Sequence, residues 1–400
     1  MKIGIDLSSL DKSSFNQGVY TYAMGLLDGF KKINKKSKFQ IYINENVLSH
    51  FQNKLDKKIF EIIIIKKKFF FLKKIITFLV LTFGFIGIKI YSAHFYLINL
   101  LNYKIKETFE NNSDIIIFLN AHENCYNLKI KTIINFHDII HKTLPNYLKK
   151  QEKLMRDVIY YNCAKSSNFI VASSASMKKE FTMHMNIERK KIYVINEGVD
   201  EYFIKKINTK KSINKMYLFY PAQFWKHKNH KTLISEFNNF KRMNKSNLKL
   251  FLCGKKKSYF KDVKNYIYQN KVKDVNYLGQ ISQMRLINYY QNSFAVVMPS
   301  LYESSSLVLL EAISLKKIMI ASNIGPNKEL AKIFKIYLFN PHKKNDLSNK
   351  IKKVTKLKSA TKRKIVNNNY LKIRSYSWPN VAIKYNKLIK KYDKIWKNKN

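Results

Sequence analysis

The strongest constraint on this chain is a strand-then-helix alternation that runs through its first half and starts again in its second. Short apolar runs are followed by longer stretches with the 3.6-residue periodicity of amphipathic helices. This alternation is typical of parallel sheets covered by helices, and it predicts two doubly wound α/β domains with a cleft between them. The strand candidates are Ile3–Leu7, Phe39–Ile43, Glu61–Ile65, Asp114–Leu119, Lys131–Phe136, Asn168–Ser173, Lys191–Asn196, Met216–Tyr220, Leu248–Cys253, Val275–Leu278, Phe294–Met298, Ile318–Ser322 and Ile336–Leu338.

Two features refine this plan. A polar stretch rich in Lys and Asn, residues 201–215, separates the two series of strands. The run Glu61–Ile65 is almost wholly Ile, which predicts a strand buried on both faces of a parallel sheet.

The charge of the chain is extreme, +49 at pH 7, from 75 basic residues against 26 acidic ones. Only six of the basic residues are arginines, whereas nucleic-acid-binding proteins favour Arg for bidentate contacts. Lys, Ile and Asn are all abundant, as in proteins encoded by AT-rich genes. We attribute the larger part of the positive charge to this compositional bias. The remainder fits a surface drawn to anionic lipid or to an acidic polymer. Nucleic acid is not an expected partner.

The remaining composition favours a folded protein of a reducing compartment. Hydrophobic residues make up 46% of the chain, with only ten Gly and six Pro, so sizeable cores are expected and long disordered linkers are not. Three cysteines, Cys125, Cys163 and Cys253, are odd in number and far apart in sequence. They fit neither a disulfide framework nor a metal cluster. Met1–Asp6 is predicted as strand and not as a secretion signal, so a cytoplasmic location is expected.

Residues 75–103 are the segment whose placement stays open. Lys89 is the only residue of fixed charge in this apolar stretch. One alternative is a buried helical hairpin or long helix, and this one is favoured because strands of a single sheet are predicted on both sides. A second alternative is an element that docks on a membrane, helped by Lys66–Lys68 and Lys73–Lys74. A third is a membrane span, for which the two halves together are long enough.

The run Met298–Ala312 has the pattern of an anion-binding turn. A buried strand ends at Pro299, a loop of serines follows, and an apolar helix is predicted from Leu307, with the serines as N-caps. Unpaired backbone N–H groups at such a helix start attract phosphate. Glu303 precedes this turn and Glu311 lies eight positions later, which suits a ligand with both phosphates and sugar hydroxyls. An ordinary loop carboxylate and helix glutamate remain the alternative.

A second turn of this kind lies between a strand and a helix at Tyr220–His230. It offers Lys226, His227, Lys228 and His230 at a helix N-terminus, where a diphosphate would meet fixed charge and N–H groups. In so basic a chain, a solvated run of charges is the alternative. No cluster has metal-ligand spacing, and no GxGxxG or GxxxxGK[ST] loop is present.

In the first half, two sites stand at loops that could face a ligand. His137 and Asp138 follow a predicted parallel strand, at the sheet edge where ligands bind in such folds. Gly18 opens a predicted helix and would let the backbone approach a phosphate or sugar. A histidine satisfied by its own loop and a simple helix-entry glycine are the alternatives.

Together these residues resemble a known family. Glu303 and Glu311, preceded by Met-Pro-Ser and followed by Ala, look like the signature of retaining glycosyltransferases of family 4. Gln223–His230 resembles the phosphate loop of bacterial sugar transferases that build surface polysaccharides, often from nucleoside-diphosphate mannose. Further matches run in order through nearly the whole chain: Gly18–Tyr20, His137–Asp138, Asn196–Asp200, Tyr277–Gly279, Ser322–Glu329 and Ser377–Trp378.

The resemblance implies the α/β GT-B architecture, in which two Rossmann-like, doubly wound domains face each other across a cleft. Residues 1–200 would form the acceptor-side domain, residues 213–375 the nucleotide-sugar donor-binding domain, and a C-terminal helix at 380–395 would pack back on the first. It also implies a hexosyltransferase that needs no cofactor and no metal. The expected partners are a nucleotide-sugar donor and a glycan or lipid-linked acceptor. An anionic membrane surface stays open as a further partner, with the protein peripheral on the inner face of the plasma membrane.

The resemblance assigns roles to individual residues. Lys228 should bind the donor diphosphate and Glu311 the ribose hydroxyls, while Glu303 and the backbone of Ser304, Ser305, Ser306 and Leu307 should hold the transferred sugar and phosphate. His137 should face the sugar from the other domain, and Gly18 should line the phosphate side. Gln223 stands where many members have an arginine, and Ser304–Ser306 stand where many have glycines.

Rival functions remain. A nucleotide-sugar 2-epimerase could use the same architecture, and it would act on the donor without an acceptor. The charge suggests a basic nucleic-acid-binding protein as a second rival, and residues 75–103 suggest an integral membrane protein as a third.

Overall fold

The computed structural model describes residues 1–15, 18–33, 38–66, 69–205 and 216–397. They form two compact units: residues 1–198 together with the segment from Trp378 onward, and Val199–Ser377. Helix Glu201–Lys205, at the start of the predicted linker, already belongs to the second unit, because Phe203 is buried in that unit's core. The rest of the predicted linker, residues 206–215, lies outside the described residues.

Strands and helices alternate as the sequence predicts. The elements up to the unit boundary are β1 (Ile3–Asp6), α1 (Gly18–Ile33), β2 (Phe39–Asn44), α2 (Leu48–Gln52), β3 (Phe60–Ile65), α3 (Phe70–Phe85), α4 (Tyr91–Leu101), α5 (Tyr103–Asn112), β4 (Ile115–Phe118), β5 (Lys131–Phe136), α6 (Ile140–Thr143), α7 (Lys150–Ser166), β6 (Phe169–Ala172), α8 (Ala175–Met185) and β7 (Ile192–Val194). The later elements are α9 (Glu201–Lys205), β8 (Tyr217–Pro221), α10 (His230–Asn244), β9 (Lys249–Cys253), α11 (Phe260–Gln269), β10 (Val275–Tyr277), α12 (Gln283–Asn292), β11 (Ala295–Met298), α13 (Leu307–Ser314), β12 (Met319–Ser322), α14 (Gly325–Ile333), β13 (Tyr337–Phe339), α15 (Asp346–Thr355), α16 (Ser359–Ile373) and α17 (Trp378–Lys397).

Each unit is built on one parallel sheet. Within the described residues, the first sheet has seven strands in the order β3-β2-β1-β4-β5-β6-β7, and the second has six in the order β10-β9-β8-β11-β12-β13. In the second sheet the chain first moves outward from β8 on one side and then returns to place β11 on the other. This reversal leaves the carboxyl ends of β8 and β11 side by side, which is where open α/β sheets bind ligands. The prediction of two Rossmann-like α/β domains is confirmed.

Strand β3 is less buried than its sequence predicts. It is the edge strand of the first sheet, paired only with β2 in the described part of the chain. Glu61 is exposed and Ile64 keeps 38% of its surface accessible. The prediction of burial on both faces is therefore wrong, because an all-Ile composition does not decide whether another layer covers the strand.

Helix α17 packs in the first unit although it closes the chain. Trp378 lies against two glycines of α1: a Cβ at Gly25 would come within 2.0 Å of its ring, and one at Gly29 within 2.3 Å of its carbonyl oxygen. The two glycines lie one helical turn apart and form a notch that holds Trp378. A side chain at either position would clash with it. The Tyr385 hydroxyl adds a buried hydrogen bond of 2.6 Å to Asn135 Oδ1.

Residues 75–103 form a helical hairpin, but not a buried one. Helices α3 and α4 contact each other and both pack on α7. Val80 and Leu81 of α3 and Ile98 of α4 are buried, whereas large apolar side chains on the opposite sides remain exposed. The hairpin part of the favoured expectation is confirmed and the burial part is wrong. None of the helices in the described part of the chain is long and apolar enough to cross a membrane.

Candidate active site

Two loops meet at the carboxyl edge of the second sheet. One follows β8 and contains a short 3-10 turn, Lys226–Lys228; the other follows β11 and runs from Pro299 to Ser306. The Leu301 amide donates to the His227 carbonyl oxygen at 2.8 Å, so the loops are joined directly through their backbones. The two turns that the sequence predicts as anion sites, Tyr220–His230 and Met298–Ala312, are thus adjacent in the structure.

An ion pair links the two loops. Lys228 Nζ lies 2.7 Å from Glu303 Oε1, and the two side chains keep only 21% and 14% of their surface accessible. Burial alone would raise the pKa of Glu303, but the charge and hydrogen bond of Lys228, with a hydrogen bond from Ser300, hold the pKa below its ordinary value. Glu303 is therefore ionised at neutral pH, and Lys228 has a carboxylate as its partner in this structure.

Buried polar residues next to the ion pair connect the two loops that carry it. The Tyr220 hydroxyl lies 3.0 Å from the Lys228 carbonyl oxygen and 3.1 Å from Ser300 Oγ, so it contacts both loops at once. Asn229 has a left-handed backbone, with φ of 59°, and its Nδ2 donates to the Pro299 carbonyl oxygen at 3.1 Å. Sequence reasoning did not single out these residues. The asparagine just before a helix start was the one local signal, since Asn tolerates a left-handed conformation.

The side chain of Ser306 does not cap helix α13, contrary to the prediction for the serine loop. Ser306 is the N-cap residue, but its side chain makes no capping hydrogen bond. Its hydroxyl instead bonds Asn327 Oδ1 at 2.5 Å, and Asn327 Nδ2 in turn donates to the Ser322 carbonyl oxygen at 2.7 Å. The Leu309 N–H donates to the Ser306 carbonyl oxygen at 2.9 Å, and the Ser306 side chain bonds none of the N–H groups at the helix start. A helix start without a side-chain cap favours an anion there.

Ser306 also explains the glycines expected at this loop. Its backbone is left-handed, with φ of 59°, and the side chain is buried. An L-residue pays a conformational cost of about 1 kcal/mol or more there, whereas glycine does not. The loop keeps its shape with serine because the hydroxyl is hydrogen-bonded to Asn327.

Glu311 lies one turn into α13 and is held by a tyrosine. The Tyr290 hydroxyl, from α12, donates to Glu311 Oε2 at 2.7 Å. Burial, together with the adjacent Glu311 charge, raises the pKa of Tyr290 well above its ordinary value, so this hydroxyl stays protonated and remains a donor. Tyr290 was not predicted as a site residue, since nothing in its local sequence distinguishes it from a core tyrosine.

Gln223 lies in the loop after β8, as predicted, and its side chain has a partner there. Gln223 Oε1 accepts a hydrogen bond of 3.1 Å from the Trp225 indole. The backbone at this point is approached closely by Gly254, which follows β9 with φ of 144°; a Cβ there would lie 2.3 Å from the Ala222 carbonyl oxygen. Gly254 is a required glycine that fixes the loop, and its place directly after a strand was the sequence signal.

His230 does not supply charge to the site. It is fully buried and stacked on Phe224, with ring centroids 4.2 Å apart. Burial lowers its pKa to about 3, so the ring is neutral at physiological pH. The prediction that His230 adds fixed charge to the turn is wrong, because the first helical residue of α10 points into the core and not toward the loop.

His137 and Gly18 belong to the first unit. His137 follows β5, and its Nε2 lies 2.6 Å from the Leu119 carbonyl oxygen, which fixes Nε2 as the protonated nitrogen of a neutral ring. Burial lowers the pKa of His137 below its ordinary value. Asp138 is bound by Arg156 at 2.7 Å. Gly18 opens α1, and a Cβ placed there would have no neighbour within 4 Å.

Among the described residues, no group of three or more His, Cys, Asp and Glu could hold a metal ion.

Comparisons with known proteins show what the second unit is similar to in sequence. The family described as "Glycosyl transferases group 1" matches residues 202–372, which contain the whole site of the second unit. No curated protein matches the sequence.

Solved structures match over the full chain. HepE from Anabaena, in complex with UDP and glucose, is 14% identical with a TM-score of 0.70, covering 98% of this chain and 100% of that one. Sucrose-phosphate synthase from Thermosynechococcus elongatus is 14% identical with a TM-score of 0.71, covering 99% and 100%. A glycosyltransferase from Rickettsia africae is 17% identical with a TM-score of 0.66, covering 99% and 99%. At these identities the likeness shows the fold, which is GT-B. The chain is therefore a glycosyltransferase of GT-B fold, and the part that is similar to the group 1 family lies in its second unit.

Proposed function

We propose that this glycosyltransferase moves a hexose, with mannose as the first candidate, from a nucleoside-diphosphate sugar to a glycan or lipid-linked acceptor with retention of configuration. The place we assign to it is the synthesis of a cell-surface polysaccharide or lipopolysaccharide, as a retaining enzyme of family 4. The observation that carries the proposal is the Lys228–Glu303 pair beside the N-terminus of α13. A cation, a carboxylate and the backbone N–H groups of a helix start together suit a sugar diphosphate.

The residues of the site take separate roles in this proposal. Lys228 and the backbone of Ser304–Leu307 bind the diphosphate, Glu303 binds hydroxyls of the transferred sugar, and Glu311 binds the ribose. Gln223, in place of an arginine, contributes hydrogen bonds and no charge. His137 contacts the sugar and Gly18 lines the phosphate side; both are proposals for the first unit.

Donor binding would exchange partners within the ion pair. The donor diphosphate competes with Glu303 for the Lys228 ammonium group, and the freed carboxylate then accepts hydrogen bonds from the sugar. During transfer, negative charge builds on the departing diphosphate, where Lys228 and the helix N–H groups stabilise it. The acceptor hydroxyl attacks from the face that the diphosphate leaves, so the configuration is retained without a protein nucleophile.

The donor is identified by a binding and hydrolysis screen. GDP-mannose is the first candidate, and UDP-glucose is tested beside it because the Anabaena structures were solved with UDP and with UDP-glucose. The transfer is proposed to need no metal or cofactor, so an excess of EDTA should leave the rate with the best donor unchanged. A rate that falls with EDTA and returns with a divalent cation would overturn this point.

The diphosphate role is tested by Lys228→Met. We expect a loss of turnover of about 100-fold or more, the range seen when one group that stabilises developing negative charge is removed. Lys261→Met, the same change at an exposed position of α11, serves as the matched control and should retain full turnover. A Lys228→Met protein that is folded and fully active would exclude the proposed site.

A nucleotide-sugar epimerase is separated by the same screen. It would convert the donor sugar to its epimer with no acceptor present, whereas the transferase gives only slow hydrolysis. We place the enzyme in the cytoplasm, on the inner face of the plasma membrane, where lipid-linked acceptors would be presented.

A further inference from the structure

The hairpin of α3 and α4 carries an apolar face that nothing in the described chain covers. On α3 the exposed positions recur every three or four residues, and among them Phe71 and Phe78 keep 74% and 67% of their surface accessible. On α4 the exposed apolar positions have the same spacing and include Leu100, at 69%. The face is completed by Leu72, Ile75, Leu79, Phe83, Ile86, Ile88, Tyr96, Leu97 and Tyr103. So large an exposed apolar patch marks an interaction surface.

The opposite side of the hairpin is firmly packed. Val80 and Leu81 are buried, and a Cβ at Gly84 would meet the Leu154 side chain of α7 at 3.2 Å. Lys150, also on α7, lies over the Phe85 ring at 4.8 Å and donates to the Phe85 carbonyl oxygen at 3.3 Å. The hairpin is therefore held against α7 on one side, while its apolar face on the other side stays exposed.

The fixed charges of the hairpin segment itself have one sign. From Ile62 to Lys106 the sequence contains eight lysines and no aspartate or glutamate. Lys74 and Lys89 are exposed on or beside the hairpin. An apolar face bordered by lysines is the arrangement of helices that lie in the headgroup region of an anionic bilayer.

We propose that this hairpin face docks on an anionic lipid bilayer, with α3 and α4 lying in the plane of the interface. Helix α3 has 16 residues, which at 1.5 Å per residue gives about 24 Å, less than the ~30 Å of a bilayer's hydrocarbon core. Phe71 and Phe78 then enter the boundary of the acyl chains, while Lys74 and Lys89 contact phosphate headgroups. The proposal rests on the proposed function only for which membrane is bound, the inner face of the plasma membrane. Lipid binding itself is tested separately, because vesicle binding is measured without turnover.

The charges favour lipid over a second copy of the chain. A pairing of two such faces would bring both sets of lysines together without an acidic residue from the same segment to neutralise them. Anionic lipid supplies negative charge and apolar depth in the same place. The occupant that best complements this face is therefore a bilayer.

Vesicle sedimentation with the full-length protein tests the proposal. We expect strong binding to vesicles of phosphatidylcholine with 30% phosphatidylglycerol and weak binding to phosphatidylcholine alone. The double variant Phe71→Ser/Phe78→Ser should reduce the partition coefficient at least tenfold. The matched control Met284→Ser/Leu371→Ser replaces two exposed apolar residues of the second unit and should bind as the unchanged protein does. Equal binding by the hairpin variant and the control would overturn the proposal.

A second pair of variants tests the lysines. Lys74→Gln/Lys89→Gln should weaken binding to anionic vesicles several-fold, and more so than Lys344→Gln/Lys353→Gln, which removes the same charge from exposed positions of the second unit. If both pairs lose binding equally, net charge and not this face attracts the vesicle, and the proposal fails.

Two measurements separate the remaining occupants. Phe78→Trp should give indole fluorescence that brominated acyl chains quench beyond the background of the unchanged protein; no added quenching contradicts insertion. Light scattering without lipid reports self-association: a dimer that Phe71→Ser/Phe78→Ser converts to a monomer would assign the face to a second copy. Donor hydrolysis in the absence of vesicles should be unchanged in this variant, so a failure of the docking proposal leaves the catalytic one intact.

Discussion

At the scale of single residues, the site is a set of charged groups that are already paired. Lys228 has Glu303, and Glu311 has Tyr290, each at 2.7 Å. A ligand must therefore compete with these partners and does not enter an empty electrostatic field. The partners also keep the charged groups in position before a ligand arrives, which lowers the ordering cost of binding.

Tyr290→Phe tests whether the tyrosine positions Glu311 for nucleotide binding. Removing a hydrogen bond to a charged group costs about 1.5–3 kcal/mol, so the affinity for the free nucleoside diphosphate should fall about tenfold or more. Calorimetric titration measures it. Tyr289→Phe, on the same helix, is the control and should keep the original affinity. An unchanged Kd in Tyr290→Phe would show that the tyrosine is only a core residue.

His230 gives the fold a defined sensitivity to acid. Its pKa is about 3 when folded and ordinarily 6.5, so the unfolded chain binds the extra proton between these values. Stability contributed by the neutral ring is fully present above pH 6.5 and is lost as the pH falls toward 3, by about 1.4 kcal/mol per pH unit at most. In His230→Leu, urea unfolding measured from pH 7 to pH 4 should show a shallower loss of stability. A slope equal to that of the unchanged protein would contradict the assignment.

At the scale of elements, the loop before α13 is a strained turn that a side-chain network supports. Ser306 holds a left-handed backbone because its hydroxyl is bonded to Asn327, and Asn327 is bonded to the end of β12. The start of the helix is thus fixed from the neighbouring strand. This arrangement holds in place the helix start at which we propose that the diphosphate binds.

A pair of substitutions at Ser306 isolates the backbone effect. Ser306→Gly and Ser306→Ala both remove the hydroxyl, but only alanine keeps the cost of the left-handed conformation. The glycine variant should be more stable than the alanine variant by about 1 kcal/mol, opposite to the order at an ordinary helical position. Urea unfolding of the two proteins gives the sign directly. Greater stability of the alanine variant would mean that the backbone is not left-handed there.

At the scale of the whole molecule, helix α17 packs against α1, although the second unit lies between them in the sequence. Trp378, the first residue of α17, fills the notch at Gly25 and Gly29 of α1, so residues nearly a full chain length apart form one core. Stability of the first unit therefore depends on a segment that follows the second.

Trp378→Ala measures this dependence. Removal of a buried aromatic side chain costs about 3–5 kcal/mol, and the loss should fall on the first unit. Hydrogen exchange should show reduced protection in α1 and β1, with unchanged protection in β8 and β11. Leu371→Ala, at an exposed position of α16, is the control. Equal loss of protection in both units would indicate that α17 does not stabilise the first unit selectively.

Much of this arrangement could be predicted from local sequence. The strand-helix alternation gave both sheets, and the loop positions followed because parallel strands deliver their carboxyl ends to one edge. Lys228 and Glu303 lie 75 positions apart, yet each was predicted from the turn in which it stands. Tyr220, Asn327 and Tyr290 could not be found this way, since their roles arise from contacts between elements distant in the chain.

The sequence by itself determined the order and type of the elements and the loops that carry the site, because periodicity and turn residues act over a few neighbouring positions. The tertiary structure alone decided which groups are paired, buried or exposed. It placed His230 in the core, left Ile64 at a sheet edge and turned the apolar side of α3 outward. The physical reason is that burial depends on what packs against a residue, and a residue's own chemistry does not specify that partner.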